Sequence, residues 1–200
     1  MTDPIVLAST SQIRARLLQH AGLSVEIVAP RIDEDAVKQA LLTEGARPRD
    51  IADTLAELKA EKVALKRPGA WVIGCDQVLV FENRLISKSA TERDAIALLT
   101  ELQGKRHKLL TAAVVYHEGK PVWRHVSTST MAMQSLAADE IEAYVTHNWD
   151  DIAYTVGGYL FESTGARLFS QVEGDYFAIL GLPLIEILSF LRLRGAIGLV

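Results

Sequence analysis

Two hydrophobic patterns alternate along this chain. Short apolar runs bounded by turn residues are typical of buried strands, and apolar residues spaced three or four positions apart are typical of helices. The first pattern predicts strands at 5–9, 24–29, 70–74, 77–81, 85–87, 108–117 and 121–129. The second predicts helices at 12–21, 92–103, 139–147 and 184–193, and a helical region at about 34–66 that is interrupted near Gly45 and Pro48.

The order of these elements predicts the fold class. Residues 82–84 and 118–120 are turns that join their flanking strands into hairpins, whereas the earlier strands alternate with helices. Further short strand-like pieces are separated by Gly157, Gly158, Gly165, Gly174 and Gly181. Mixed βα units and hairpins predict an α/β fold, with a mixed twisted β-sheet flanked by helices on both sides. The 200 residues, 49% of them hydrophobic, are enough for a single domain over 1–200, with room for two lobes around a cleft.

Composition narrows the function classes. The net charge of -4 and the dispersed positive charges argue against stable nucleic-acid binding. No leader-like segment and no apolar run of membrane-spanning length is present, so we expect a cytoplasmic protein without a membrane contact. Cys75 is the single cysteine, which excludes an intramolecular disulfide and a thiolate metal cluster, and its apolar flank predicts a buried strand end.

An anion-binding arrangement is predicted near the start of the chain. The apolar run 5–8 leads into Ser9 and Ser11 and then into a helix that carries Arg14. Ser11 can cap this helix, whose first N–H groups lack partners within the helix, and Arg14 adds a forked cation. Such a site suits a phosphate. The alternative is an ordinary strand, turn and helix with a serine cap.

Asp76 is the candidate centre of the chemistry. It follows the apolar segment 72–75, which places a carboxylate at a predicted strand end, where clefts commonly form. Lys88 follows the hairpin twelve residues later. A carboxylate that holds Mg²⁺ or orients a water, with an ammonium group for phosphate oxygens, is suited to the cleavage of a phosphoanhydride. Taken singly, a turn aspartate and a surface lysine are the simpler interpretations.

A second group of charges lies between these segments. One carboxylate of Asp33–Asp35 could complete a hard-cation site with Asp76, because Mg²⁺ takes one or two protein carboxylates and keeps several waters. The same three residues also suit the acidic first turn of a helix. Lys59 and Lys62 fit solvent-facing partners of neighbouring glutamates on their helix.

Together these residues resemble the Maf family of nucleoside triphosphate pyrophosphatases, the septum-formation Maf-like proteins. The resemblance covers nearly the whole chain and depends on an ordered set of short motifs rather than on any one of them. The motifs are Leu7–Ser11 with Arg14, Leu17 and Leu18; Asp33 and Glu34; Leu55, Ala56, Lys59 and Lys62; Gly74–Asp76; Lys88; Leu102, Gly104 and His107; Gly157–Tyr159; Gly174–Tyr176; and Gly181–Leu184.

The resemblance implies a divalent-metal-dependent cut between the α- and β-phosphates and a two-lobed α/β fold like that of the inosine triphosphatases (Maf/Ham1). It implies that Asp76 is the proton acceptor, with Glu34 as its companion at the metal. It also implies that Ser9, Arg14, Lys59 and Lys88 bind the triphosphate. Mg²⁺ is the expected cation, and oxygen ligands would also accept Mn²⁺ or Co²⁺.

Base preference is left open by the sequence. Gln77 and Glu162 resemble the branch that acts on 7-methyl-GTP, which also has Gln after the aspartate and Glu after the Gly-Gly-Tyr-like segment. A carboxylate could accept hydrogen bonds from the N1–H and amino group of guanine. Ile13 fits that branch poorly, since an aliphatic side chain cannot replace an aromatic stack on a cationic base. Gln12 and Ser89 also depart from the commonest family pattern, where proline is usual at positions 12 and 89.

Three functions remain open at this point. The first is a housekeeping pyrophosphatase that removes non-standard or modified nucleotides, with a link to cell-division arrest. The second is a regulatory nucleotide- or nucleic-acid-binding protein that acts in septum formation with little catalysis. The third is a phosphatase that cleaves another phosphoanhydride. The long hairpin and the apolar C-terminal helix leave room for a homodimer.

Overall fold

The computed structural model describes residues 3–199 and contains a seven-stranded mixed sheet with helices. The strands are β1 (Ile5–Ala8), β2 (Val25–Ile27), β3 (Trp71–Phe81), β4 (Arg84–Ile86), β5 (Arg106–His117), β6 (Lys120–Met133) and β7 (Phe169–Glu173). The helices are α1 (Gln12–His20), α2 (Glu34–Thr43), α3 (Pro48–Ala64), α4 (Glu92–Leu102), α5 (Ala138–Ile152), α6 (Tyr176–Ile179) and α7 (Leu184–Leu193). A 3-10 turn covers Thr164–Leu168.

The sheet confirms the predicted mixed topology. Its strand order is β2-β1-β3-β5-β6-β7, and β4 pairs with β3 off this path. β1 runs parallel to both β2 and β3, whereas β4 is antiparallel to β3 and β7 is antiparallel to β6. Within residues 3–199, no helix is long and apolar enough to cross a membrane.

Contacts divide the chain into two compact units. The first contains the described residues up to Gln77, then Thr111–Ser127, and the residues from Asp175 onward. The second contains Val78–Leu110 and Thr128–Gly174. The long strands β3, β5 and β6 each contribute residues to both units. The single domain over 1–200 and the cleft stay predictions.

Several predicted boundaries are wrong. The segments 70–74 and 77–81 form one continuous strand, because Cys75 and Asp76 between them are buried like their neighbours. The helix predicted at 139–147 extends to Ile152, whose buried side chain continues the apolar face. Of the strand-like pieces expected after Gly157, only β7 is a strand, since the rest of that segment forms turns and short helices.

The first unit packs α3 very closely against β3. A Cβ atom placed on Gly74 would lie 2.2 Å from the carbonyl oxygen of Ala56 and 2.6 Å from the backbone nitrogen of Ala60. Both alanines are fully buried on α3. Only glycine therefore allows this approach of helix to strand, and the approach sets the position of the α3 side chains relative to β3.

The Gly74→Ala variant should be strongly destabilised, because the added methyl group would overlap backbone atoms that have no flexible end to move. Overpacking of this kind costs about 3 kcal/mol. Urea unfolding followed by circular dichroism measures the loss. The matched control is Gly69→Ala, where an added Cβ meets nothing within 4 Å. Equal stability of the two variants would contradict the close packing.

The second unit has an aromatic core around a buried histidine. His107 Nε2 lies 2.7 Å from the hydroxyl oxygen of Tyr159, and both side chains are buried. The Tyr159 and Phe169 rings meet edge to face at 4.8 Å between centroids. Burial lowers the pKa of His107 from 6.5 to about 4, and burial also raises the pKa of Tyr159. His107 is therefore a neutral core residue at pH 7.

This buried histidine predicts a loss of stability in acid. The unfolded chain binds a proton at His107 near pH 6.5, whereas the folded chain does so only near pH 4. The contribution of the neutral His107 to the free energy of unfolding is therefore fully present above pH 6.5. That free energy falls by about 3 kcal/mol as the pH drops from 6.5 to 4. Urea unfolding of the wild type and of His107→Gln at pH 7.5 and 4.5 tests this. An equal pH dependence of the two proteins would contradict it.

Candidate active site

Asp76 lies on β3, just past the point where its neighbour β1 ends. The last pair between β1 and β3 joins Ala8 to Gly74, so Asp76 lies two residues beyond it. The prediction that Asp76 follows the end of its own strand is wrong, because β3 continues to Phe81 and pairs there with β4. The strand end beside Asp76 is that of β1, and the carboxylate is 4% exposed.

Lys59 connects two carboxylates at this position. Its Nζ lies 2.7 Å from Asp76 Oδ1 and 3.0 Å from Glu34 Oε1. Lys59 is 5% exposed, so the interpretation of this residue as solvent-facing is wrong, whereas Lys62 is exposed as predicted. The reason is the close contact of α3 with Gly74, which directs the α3 face that carries Lys59 onto β3.

Glu34 reaches this group from the first turn of α2. Asp33 caps that helix, accepting a hydrogen bond from the backbone N–H of Ala36 at 3.0 Å. The interpretation of this segment as the acidic first turn of a helix is therefore confirmed, whereas the cation site with Asp76 stays a prediction; the structure pairs Glu34 with Lys59. A buried ammonium between two carboxylates offsets much of the cost of burying Asp76.

One oxygen of Asp76 is available for further chemistry. Oδ2 is buried and has no hydrogen-bond partner among residues 3–199. An unpaired buried acceptor costs about 1–3 kcal/mol, so this oxygen favours a proton or a cation as a partner. No group of three histidine, cysteine, aspartate or glutamate residues in the described chain forms a complete metal cage. Two carboxylates fit Mg²⁺, which takes its remaining ligands from water and phosphate.

The loop after β1 has the predicted helix cap. Ser11 Oγ accepts from the backbone N–H of Arg14 at 3.5 Å, and Ser9 Oγ accepts from the backbone N–H of Ser11 at 3.1 Å. In the described chain, the backbone N–H groups of Gln12 and Ile13 make no hydrogen bond. Those two groups lie at the positive end of the α1 dipole, where an anion is stabilised.

Arg14 is held by main-chain carbonyl groups. Its Nε donates to the Gly181 oxygen at 2.7 Å and its Nη1 donates to the Cys75 oxygen at 2.9 Å. The guanidinium group therefore contacts the residue that precedes Asp76. Gly181 has φ +97°, and a Cβ there would lie 3.1 Å from Arg14 Nε, so glycine suits both the backbone and the contact.

The residues on either side of Asp76 face the other side of the sheet. Cys75 is fully buried, as predicted, and burial raises the pKa of its thiol to about 11, so it is not a nucleophile at neutral pH. Gln77 Nε2 donates to Thr111 Oγ1 on β5 at 2.8 Å and to the Ala178 oxygen of α6 at 3.0 Å. Asp76 instead contacts α3, as the alternation of side chains along a strand requires.

Lys88 and Glu162 belong to the second unit. Lys88 is exposed in the segment after β4, and Glu162 is exposed before the 3-10 turn. The structure thus brings together Glu34, Lys59 and Asp76, and separately Ser9, Ser11 and Arg14, all within the first unit. The roles of these residues toward substrate, including those of Lys88, Gln77 and Glu162, stay predictions.

One residue and one contact of the site region were missed by the sequence analysis. Thr111 is 1% exposed on β5, and its hydroxyl contacts both Gln77 and α6. The sequence feature that could have identified Thr111 is its position as a hydroxyl residue inside the apolar segment 109–116. Gly181 belongs to a motif of the family resemblance, but its carbonyl contact with Arg14 joins positions 167 residues apart, which no local pattern shows.

Comparison with known proteins identifies the family. The Maf-like protein family matches residues 4–194. This chain belongs to the Maf-like family.

The Maf-like chain is 53% identical to a protein of Ruegeria pomeroyi over 197 residues, which cover 98% of this chain and 99% of that protein. It is 52% identical to one of Roseobacter denitrificans and 47% identical to one of Caulobacter vibrioides, with at least 97% of each chain covered. All three relatives are named nucleoside triphosphate pyrophosphatase. The predicted family is therefore confirmed.

Proposed function

We propose that this Maf-like chain hydrolyses nucleoside triphosphates between the α- and β-phosphates and releases a nucleoside monophosphate and pyrophosphate. The observation that carries the proposal is the buried Asp76, paired with Lys59 through one oxygen and unpartnered at the other. The names of the relatives support the same activity. The cellular role that we propose with it is the removal of non-standard or modified nucleotides.

Asp76 accepts the proton of the attacking water in this proposal. Its Oδ2 is the atom that receives the proton, because Oδ1 is occupied by Lys59 at 2.7 Å. Lys59 holds the carboxylate in one orientation, and its two ion pairs leave it little freedom to move. A base held in one position next to its water contributes a large part of the rate of hydrolysis.

The triphosphate is bound by groups around Arg14. The two carbonyl contacts use Nε and Nη1, which leaves the N–H groups of Nη2 for a phosphate oxygen. The unpaired backbone N–H groups of Gln12 and Ile13 provide two further donors. Lys88 adds a positive charge for the departing pyrophosphate, as the family resemblance implies.

A divalent cation completes the proposed site. The Glu34 carboxylate would bind the cation directly and Asp76 would bind it through the attacking water, since Oδ2 is the oxygen that accepts the proton; both side chains are hard oxygen donors beside Lys59. The cation would neutralise negative charge on the phosphate oxygens. Mg²⁺ is the expected ion, and Mn²⁺ or Co²⁺ would also suit these ligands.

Gln77 and Glu162 are proposed to select the base. Both carry an oxygen that accepts hydrogen bonds, and guanine presents N–H donors at N1 and at its amino group. A guanine nucleotide, methylated or unmodified, is therefore the proposed substrate class.

The experiment is a survey of pyrophosphate release across standard and modified nucleoside triphosphates, with Mg²⁺ and again with excess chelator. Preference for guanine nucleotides that is lost in Glu162→Gln would support the base assignment. Release from pyrimidine nucleotides alone would overturn that assignment while keeping the pyrophosphatase. Unchanged pyrophosphate release in excess chelator would overturn the proposed requirement for a divalent cation.

A further inference from the structure

The Gln77 side chain has a fixed orientation that determines what it can offer a ligand. Its Nε2 lies 2.8 Å from Thr111 Oγ1, 3.0 Å from the Ala178 carbonyl oxygen and 3.1 Å from the Ile179 carbonyl oxygen. Carbonyl oxygens only accept hydrogen bonds, so the group that faces them must be the NH₂ group. Rotating the amide by 180° would place an oxygen against two oxygens.

Thr111 completes this arrangement from the neighbouring strand. Its hydroxyl donates to the Ala178 oxygen at 2.8 Å, so its oxygen accepts from Gln77. The threonine is 1% exposed, so its hydroxyl is shielded from bulk solvent. The hydroxyl therefore both anchors α6 and fixes the amide of Gln77.

The Gln77 carbonyl oxygen remains available. Among residues 3–199, nothing donates a hydrogen bond to Oε1, and this atom is not one of the buried polar atoms that lack a partner. Gln77 itself is half-buried. Its NH₂ group is thus committed to the protein, and its oxygen is the polar atom left to offer a ligand.

We infer that Thr111 is a positioning residue that, together with the carbonyl oxygens of Ala178 and Ile179, holds Gln77 as an acceptor-only contact, which selects nucleobases that present an N–H group at this place. This inference rests on the proposed function and deepens it. A base that presents a carbonyl oxygen there would face Gln77 Oε1 with no proton between them, and the mismatch costs binding. Guanine presents two adjacent donors, at N1 and N2, whereas the N3–H of uracil lies between two carbonyl oxygens. The arrangement therefore favours GTP over UTP.

The test compares kcat and KM for GTP and UTP in the wild type, Thr111→Val, Thr111→Ser and Thr130→Val. Thr111→Val removes the hydroxyl at nearly constant volume, so the Gln77 NH₂ group loses one of its three acceptors, the Ala178 carbonyl oxygen loses a donor, and the amide is held less firmly in place. We expect the GTP to UTP ratio of kcat/KM to fall about tenfold, mainly through a higher KM for GTP. Thr111→Ser keeps the hydroxyl and should retain the ratio. Thr130→Val is the matched control, a half-buried strand threonine whose side chain makes no hydrogen bond to the described residues.

The outcomes separate this inference from the proposed function. The inference is overturned if folded Thr111→Val keeps the wild-type GTP to UTP ratio of kcat/KM. It is also overturned if Thr111→Ser lowers that ratio as much as Thr111→Val does. In both cases the proposed pyrophosphatase activity stands. If the wild type releases no pyrophosphate from any nucleotide, the proposed function fails instead.

A second measurement does not depend on the folding of the valine variant or on turnover. In ¹⁵N-glutamine-labelled wild type, the Gln77 NH₂ signals should exchange slowly with water and should keep their positions when a non-hydrolysable GTP analogue is added. Fast exchange, or a large shift that shows the NH₂ group on the ligand, would overturn the inference.

Discussion

Asp76→Asn should reduce pyrophosphate release about 1000-fold and leave the protein folded. An amide oxygen accepts a proton far less readily than a carboxylate, so the attacking water loses its base. The fold should persist because Lys59 keeps its ion pair with Glu34 and the substitution preserves volume. Pyrophosphate release with saturating nucleotide measures the rate, and circular dichroism with urea unfolding measures the fold.

The matched control for this variant is Asp53→Asn. Asp53 is also an ion-paired carboxylate of the first unit, bound to Arg124 at 2.6 Å, and its Oδ1 is likewise buried without a partner among the described residues. We expect its rate to stay within about twofold of wild type, because nothing in the mechanism uses it. A similar loss in both variants would assign the effect of Asp76→Asn to general disturbance rather than to the missing base.

Lys59→Met should damage both stability and activity. The methionine keeps the apolar stem but removes the charge between two carboxylates, which leaves Asp76 buried without a counterion. Removing one partner of a buried pair costs about 3–5 kcal/mol. Urea unfolding measures this loss, and Lys62→Met, an exposed lysine on the same helix, should change stability by no more than about 0.5 kcal/mol.

A double variant distinguishes the loss of an ion pair from the loss of packing. When Asp76→Asn is added to Lys59→Met, the uncompensated buried charge disappears, so the double variant should be more stable than Lys59→Met alone. If the double variant instead loses as much stability as the two single variants together, Lys59 stabilises the protein through packing rather than through its charge.

Local patterns are sufficient for most of the elements. The apolar runs at 5–8 and 108–117 and the helical spacing at 92–102 and 184–193 each carry enough information within one segment to mark a strand or a helix. The junction at 75–77 was missed because a charged residue in the middle of an apolar strand contradicts the pattern. Asp76 is tolerated there only because Lys59, 17 residues away, pairs with it.

The same reason limits prediction of the site. The residue types at Glu34 and Asp76 indicate chemistry by themselves, and the cap at Ser11 is a local feature that the sequence predicts correctly. Lys59 was misplaced because helical spacing cannot show that Gly74 admits α3 to within contact of β3. Thr111 was missed because its hydroxyl acquires meaning only from Gln77 and α6, which come from distant parts of the chain.

The most direct test of the central claim is the identity of the products. Phosphorus NMR spectra of a mixture of GTP, Mg²⁺ and the wild-type protein, recorded over time, account for every phosphorus atom of the nucleotide. Cleavage at the site built on Asp76 predicts signals of GMP and pyrophosphate that rise in equal amounts while GTP falls. The appearance of GDP and orthophosphate would contradict the claim, since it would show cleavage of the terminal phosphate instead.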